Sequence, residues 1–402
     1  MRIFIYILLL ITTLFANKEI NRFIEDKTSN YSKSFQISNI LEYNNLTIAI
    51  LKPIGFIIYI ENPNMNILGY SFENTFSINK MPENLKFKLN QYSMQFNNIG
   101  LNEIQTSSNR DVDPLITAQW DQGPPFNGMC PTGPPGTSTG PAIVGCVAVG
   151  MAQVMNYWQY PPIGVGNISY YDSNYGTIEV DFSNAFYDYT DMSDNYGNEE
   201  VQELLFHCGA SVEMDYGPDG SGAAGGPFSP SDYPSAFSAL QEHFGYQSSM
   251  QFLEKNNYSD EVWFALIKEE LDNGRPVIYD ACASVGCHTW NVDGYQGDYI
   301  HCNWGWGGDS NGYFLLNTLN PDPGINFNDD VWAIIGIKPG DLVLYGDINN
   351  DGAINIQDII LSINIILGTS TYSQHADLNS DNVIDVLDIV LLVNLILGIS
   401  IQ

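Results

Sequence analysis

Positive charge is what this 402-residue chain has least of: 14 Lys and Arg stand against 46 Asp and Glu, for a net charge of −32. The shortage is uneven. Ten of the basic residues and eight of the acids lie up to Arg110, whereas from Asp111 onward only Lys255, Lys268, Arg275 and Lys338 oppose 38 acids. A surface of that sign repels phosphate backbones and anionic lipid, which excludes nucleic acid and membrane surfaces as partners. It favours cations, and it suggests a near-neutral, lysine-bearing N-terminal segment docked on an acidic remainder. Histidine is scarce too, with five in the chain, so there are few candidates for a base that titrates near neutrality. Long apolar runs are missing after the first. "MRIFIYILLLITTLFANKE" carries one arginine, an apolar run from Ile3 to Phe15, then Ala16 before a polar stretch. That is a signal-peptide pattern, with a membrane anchor as the alternative. The expectation is a secreted, extracellular protein with no membrane insertion.

What is present falls into blocks. Residues 17–110 are Asn-rich, with short strand-like runs such as "LTIAILKPIGFIIYIENP", and they end in "IQTSSNRDVDP", which reads as an exposed linker. Residues 111–340 are dense in Gly, Tyr and Trp. Apolar spacing predicts helices near 146–158, 199–212, 232–244 and 260–273. Strands are expected at "RPVIYDACA", "HTWNVDGY", "DYIHCNW" and "NGYFLLN". Helices first and strands later point to an α+β domain. "GPDGSGAAGGPFSPSD" (217–232) reads as a mobile loop.

The last block contains a repeat: "DINNDGAINIQDIILSINIILG" from Asp347 recurs thirty positions on as "DLNSDNVIDVLDIVLLVNLILG". A hard cation such as calcium takes six or more oxygens, which an EF-hand loop supplies from positions 1, 3, 5, 7, 9 and 12. The first copy offers Asp347, Asn349, Asp351, the Ala353 carbonyl, Asn355 and Asp358. The second offers Asp377, Asn379, Asp381, the Val383 carbonyl, Asp385 and Asp388. Asp-rich turns that merely cap helices could account for one such loop, but hardly for two in register. Two structural Ca2+ ions are expected. This pair over 347–398 resembles a dockerin, a small all-α module of paired EF-hand-type loops that plugs into the cohesin domain of a scaffold protein. The resemblance implies a cohesin-type partner read partly through Ile356–Gln357 and Val386–Leu387.

The cysteines are 130, 146, 208, 282, 287 and 302. An even count in an exported chain admits disulfides, but spacing does not give their pairing. "ACASVGCH" could set Cys282 and Cys287 across a tight turn, and a fully reduced set is equally open. A thiolate nucleophile needs a depressed pKa, from a helix N-terminus and a nearby imidazolium. "TSTGPAIVGC" ends where "CVAVGMAQVMNYW" turns helical, so Cys146 sits at a plausible first turn. His207 and His243 fall on amphipathic helices and His375 before the second acidic loop, which leaves His288 and His301 in the late strands.

The stretches "DQGPPFN", "GCVAVGMAQVMNYWQYP", "VEMDYGPDGSGAAG", "HTWNVDGYQGDYIHCNWGWGGDSNGYFLLNTLNP" and "AIIGIKPG" carry a resemblance to the streptopain-like cysteine peptidases of family C10. It implies a papain-like, two-lobed α+β domain that hydrolyses peptide bonds. Cys146 is then the nucleophile, His288 the general base and Gln122 the side-chain donor of the oxyanion hole. Trp304 and Trp306 shield and orient the histidine, no cofactor serves catalysis, and His301 matches a non-catalytic position. Residues 17–110 resemble, more loosely, the family's α+β inhibitory propeptide. Two departures flank the histidine: Cys287 replaces a glycine, and Thr289–Trp290 replace Ala-Phe. The implied organisation is a signal peptide (1–16), a propeptide (17–110), a peptidase domain (111–340) and a dockerin-like module (341–402). The implied partners are protein or peptide substrates, the chain's own propeptide and a cohesin. A catalytically silent binding or inhibitor subunit of a complex is the alternative, against which intact Cys146, His288 and Gln122 argue.

Overall fold

The structure, a computed structural model, describes residues 18–61, 65–81, 85–86, 89–90, 92–93, 111–133, 140–226, 234–283, 286–315, 331–340, 346–349, 354–371, 373–379 and 383–396. The signal-peptide expectation, most of the linker, and loop positions Asp351, Ala353 and Asp381 lie outside the described residues. The chain divides into two compact units, Met1–Lys338 and Pro339–Gln402.

The first unit is built on one ten-stranded antiparallel sheet. Its strands are β1 (Gln36–Tyr43), β2 (Leu46–Lys52), β3 (Phe56–Glu61), β4 (Met65–Ser71), β7 (Gln251–Glu254), β8 (Val277–Ala283), β9 (Gly286–Gln296), β10 (Tyr299–Asn303), β11 (Gly312–Leu315) and β12 (Val331–Ile335). Their order is β1-β2-β3-β4-β11-β10-β9-β8-β12-β7, and β5 (Asn167–Asp172) with β6 (Gly176–Asp181) forms a separate hairpin. The four late strands expected from alternation are β8, β9, β10 and β11. What the alternation did not show is that the N-terminal segment continues the same sheet: Tyr70 and Gly69 of β4 pair with Tyr313 and Phe314 of β11. The seam is aromatic. Tyr70 stacks on Tyr313 at 5.3 Å and donates to Gln296 Oε1 at 2.7 Å, and Tyr299 donates to the Ile67 carbonyl at 3.1 Å. Helix α1 (18–27) covers this region because Ile20 and Ile24, one turn apart, are both buried, and Phe23 packs edge-on against Tyr70.

Helices α2 (Cys146–Trp158), α3 (Glu199–Ser211) and α4 (Ala236–Glu242) share a second core with the 116–144 segment. Every residue of α2 from Val147 to Met155 is buried, which suits a central helix apolar all round rather than on one face. Its one buried amide is fully used. Gln153 donates to the Ala118 carbonyl at 3.0 Å and to Asn303 Oδ1 at 3.3 Å, and it accepts from Asn291 Nδ2 at 2.9 Å. This network fixes α2 against β9 and β10, because any slip would strand polar groups in a dry interior at a cost of about 1–3 kcal/mol each. On the far side, α5 (Asp260–Asp272) buries Trp263, Ile267 and Leu271 in the core that holds Tyr295 and Trp304.

Three expectations shift. The helix expected over 232–244 spans Ala236–Glu242, because Ser235 caps it: its Oγ accepts from the Ser238 amide, and Ser238 answers the Ser235 amide. The linker expected to run through Pro114 is already fastened from Val112, which pairs with Tyr295, while the Leu115 and Ile116 amides donate to the Asp293 carbonyl and carboxylate. Of the 217–232 loop, residues 218–220 are exposed but 225–226 are packed: a Cβ on Gly225 would lie 1.6 Å from the Trp332 ring, and one on Gly226 1.8 Å from Phe252.

The second unit holds α6 (Ile356–Ile366) and α7 (Val386–Ile396), each following one acidic loop. The loops close alike. Asp358 Oδ1 accepts from the Ile348 and Asn349 amides (2.8 and 3.3 Å) and its Oδ2 from Asn355. Asp388 Oδ1 accepts from Leu378 and Asn379 (2.9 and 3.3 Å) and its Oδ2 from Asp385.

Candidate active site

Gly145 sets the site's first element. Its φ of +92° is open to glycine and strained for other residues, and it turns the 142–145 segment so that Cys146 becomes the first residue of α2. The Cys146 and Val147 amides at this helix start face the half-buried cysteine's sulfur and favour its ionised form, as does the backbone of Thr289. Burial acts against them and pushes the thiol up.

His288 stands in β9, one residue before Thr289. Its Nε2 lies 3.0 Å from the Trp304 carbonyl and 3.3 Å from the Trp306 indole nitrogen. A carbonyl accepts and an indole donates, so the two contacts ask for opposite states of Nε2. The shorter one selects Nε2–H, which leaves the Nδ1 lone pair free to take a proton. Trp290 lies parallel to the ring at 6.4 Å. Burial pulls the imidazole's pKa down, opposed by the Trp304 bond and by the charge of Asp280. Either charge alone is therefore disfavoured here, whereas a thiolate and an imidazolium formed together offset each other's desolvation. Among the described residues no hydrogen bond joins the thiol directly to the imidazole. Apo-state catalytic contacts are commonly long and tighten only around substrate.

Gln122 and the tryptophan loop are tied to the same place. The Val144 amide, two residues before Cys146, donates to the Gln122 carbonyl at 3.0 Å, and the Gly307 amide donates to the Trp120 carbonyl at 3.0 Å. The 120–122 segment thus spans the gap between the start of α2 and the 304–308 turn. Trp304 is buried and clamped, its amide on Asn311 Oδ1 and its indole on the Ser310 carbonyl; Trp306 is half-buried. The structure thus ties Gln122 to the segment that enters α2, Trp120 to the 304–308 turn, and His288 to Trp304 and Trp306. Chemically the set offers a polarised thiol, a base with one committed nitrogen and amides at a helix start to receive an oxyanion.

The other histidines sit elsewhere. His301 pairs with Asp293 at 2.6 Å in the sheet, His207 with the Tyr187 hydroxyl, His243 with the Val165 carbonyl, and His375 with the Asp347 carbonyl. Cys282 and Cys287, opposite each other in the β8–β9 hairpin, form a disulfide; Cys130, Cys146, Cys208 and Cys302 are free. Asp280 escaped the reading of the sequence, as did the bond that Thr289 makes to it. Thr289 and Asp280 face each other across the hairpin and are joined by a 2.6 Å hydrogen bond. Alternation from His288 could have placed Thr289 on the opposite face of β9, toward α2.

In the second unit, Asp347, Asp358, Asp377 and Asp388 are nearly or fully buried. Four buried carboxylates among amide oxygens and backbone carbonyls fit a hard divalent cation and offer nothing to a soft one. Ile356, Val386 and Leu387 lie exposed, at 69%, 65% and 60%.

Comparison with known proteins places both parts of the chain in families. Residues 120–314 match the model of the peptidase C10 family, and residues 345–397 that of the dockerin type I domain. Streptopain of Streptococcus pyogenes is 30% identical over 335 residues, covering 74% of this chain and 82% of its own. The thiol protease/hemagglutinin PrtT of Porphyromonas gingivalis is 30% identical over 318 residues, 68% of this chain and 34% of its own. The structure of prointerpain A of Prevotella intermedia superposes with a TM-score of 0.62 at 30% identity, over 76% of this chain and all of that one.

Proposed function

This chain belongs to the peptidase C10 family of cysteine peptidases and carries a dockerin type I domain, and from that premise we propose a division of labour among its residues. Cys146 attacks the scissile carbonyl, and His288 takes the thiol proton at Nδ1 and returns it to the leaving amine. The Cys146 amide and the Gln122 side chain receive the oxyanion. Trp304 holds Nε2–H through its carbonyl, and Trp306 screens the ring from water. The observation that carries the reading is the joint placement of Cys146 at the first position of α2 and of His288 Nε2 at the Trp304 carbonyl.

Residues 17–110 act as an inhibitory propeptide behind a signal peptide over 1–16, and the enzyme is exported. Cleavage falls between about Gln105 and Arg110, since the chain from Val112 onward is fastened to β9. The dockerin domain is a calcium-binding module. Each loop takes one ion through its residues at positions 1, 3, 5, 7, 9 and 12, the ions supplying the charge that the buried carboxylates lack. The exposed Ile356, Val386 and Leu387 contact a cohesin-type domain, so the peptidase works from an extracellular or surface complex on protein substrates.

The test is turnover of a generic protein by the wild type, Cys146→Ser and His288→Ala. Each variant should lose at least about a thousandfold in kcat, because thiolate formation and proton transfer fail separately. A silent binding subunit would show no alkylator-sensitive turnover in the wild type. Near wild-type activity in either variant would move the chemistry to other residues.

A further inference from the structure

The two side chains that flank His288 in β9 are both bonded to the facing strand. Cys287 lies opposite Cys282 and is disulfide-linked to it. Thr289 lies opposite Asp280, and its hydroxyl donates to Asp280 Oδ2 at 2.6 Å. His288, opposite Ala281, is thereby fastened on both sides. Thr289 and Asp280 are 1% and 4% exposed. The threonine also touches the nucleophile's helix: a Cβ on Gly150, one turn beyond Cys146, would lie 3.3 Å from its Cγ2. A buried carboxylate is costly unless something in the fold requires it.

Resting on the reading of Cys146 and His288 as nucleophile and base, we propose that Asp280 is a positioning residue for that pair, acting through Thr289 and through its own buried charge. Two effects follow, and they separate. The hydrogen bond holds Thr289, and with it the backbone of His288, at the height of Cys146. The charge favours the imidazolium over the neutral ring and so extends the pH range in which the ion pair persists. The groups that face the His288 ring are few. Asp280 is the charged group that acts on it, through space from β8, while the Trp304 carbonyl, the Trp306 indole, Trp290 and the Cys282–Cys287 disulfide do not titrate. The sign is therefore set by Asp280: removing its charge lowers the pH at which His288 gives up its proton.

The experiment compares kcat/KM against pH for a fluorogenic peptide, using processed enzyme whose working sites have been counted with a thiol alkylator. Asp280→Asn keeps an acceptor for Thr289 and loses the charge, so its alkaline limb should move down by about half a pH unit or more. Thr289→Val keeps the charge and loses the hydroxyl; it should lose at least about threefold in kcat, with KM and the alkaline limb unmoved. Thr289→Ser should stay within about twofold of the wild type. An Asp280→Asn profile that superimposes on the wild type overturns the proposal, as does a uniform loss at every pH that Thr289→Ser does not repair. Should Asp280→Asn fail to fold, the contrast between Thr289→Val and Thr289→Ser decides. Failure of the underlying reading looks different, because Cys146→Ser would then remain active.

Discussion

Gly145→Ala is the single-atom test of how Cys146, the proposed nucleophile, is placed. At φ +92° and ψ 139° an alanine pays about 1–3 kcal/mol of backbone strain. Its new methyl would also lie 2.7 Å from Met214 Cε and 2.8 Å from Sδ. Met214 is fully buried among the helices, so it has little room to retreat, and overpacking of this kind costs about 1–3 kcal/mol more. The cheapest relief is a shift of the 143–146 backbone, and that backbone carries both the Val144–Gln122 bond and Cys146 itself. Strain is then exchanged for misplacement. A displacement on the order of 1 Å at a reacting atom costs about a hundredfold in rate, whereas the residual destabilisation should lower Tm by less than about 10 °C in a unit of this size. The assay pairs kcat for peptide turnover with thermal unfolding. Gly176→Ala is the control: its φ is +87°, nothing lies within 4 Å of the added Cβ, and it sits in the β5–β6 hairpin. It should cost similar strain and leave kcat intact. A Gly145→Ala enzyme with wild-type kcat and Tm would refute the claim that this conformation positions Cys146.

Two further outcomes are expected. Chelation should speed hydrogen exchange across Ile356–Ile366 and Val386–Ile396 on the order of a thousandfold relative to calcium at a thousandfold excess over Kd. Asp358→Ala, which strips an acceptor from three amides, should mimic chelation in the first helix; exchange indifferent to calcium would contradict the ligand set. The second concerns pH and the N-terminal segment. Asp309 lies at the seam, accepting from Thr75 Oγ1 at 3.2 Å, while its buried Oδ2 has no hydrogen-bond partner. Burial raises its pKa, against the pull of Thr75 and Lys80. A carboxyl raised by burial binds its proton more tightly in the closed seam than in the open one, so burial of Asp309 favours the closed seam at low pH, and that contribution is lost as pH rises through the raised value. Release of residues 17–110 from Cys146→Ala chain nicked by a foreign protease should therefore speed with rising pH, and Asp309→Asn should flatten the dependence. Release that slows as pH rises would overturn the assignment. It would favour the rival view that charge contrast alone holds the segment, which predicts loosening in acid.

The parts legible in the sequence are those whose determinants are local. α2 is announced by a Gly-rich stretch that becomes apolar at Cys146, and its observed start is Cys146 itself. The loops of the dockerin domain are readable because six oxygen-bearing positions fall within twelve residues and then recur in register. The Cys282–Cys287 pairing was only one of the possibilities left open, since a tight turn permits a disulfide without demanding one. Illegible were the contacts made across long separations. Nothing in "NILGY" says that Gly69 and Tyr70 will meet Phe314 and Tyr313, because strand pairing leaves a period in each strand and no address for its partner. Asp280 suffers the same anonymity, an ordinary polar residue until the β8–β9 register sets it against Thr289.

That non-local seam bears on function through a short chain of bonds. The Ser310 amide donates to the Thr75 carbonyl, and the Ser310 carbonyl receives the Trp304 indole. The Trp304 carbonyl in turn faces His288 Nε2. The N-terminal segment is thus linked to His288 through two residues of the 304–311 turn. Ser310 is fully buried and holds φ +65°, a conformation that costs a non-glycine residue about 1–3 kcal/mol and persists only where its surroundings enforce it. Thr75 is part of those surroundings in the intact chain.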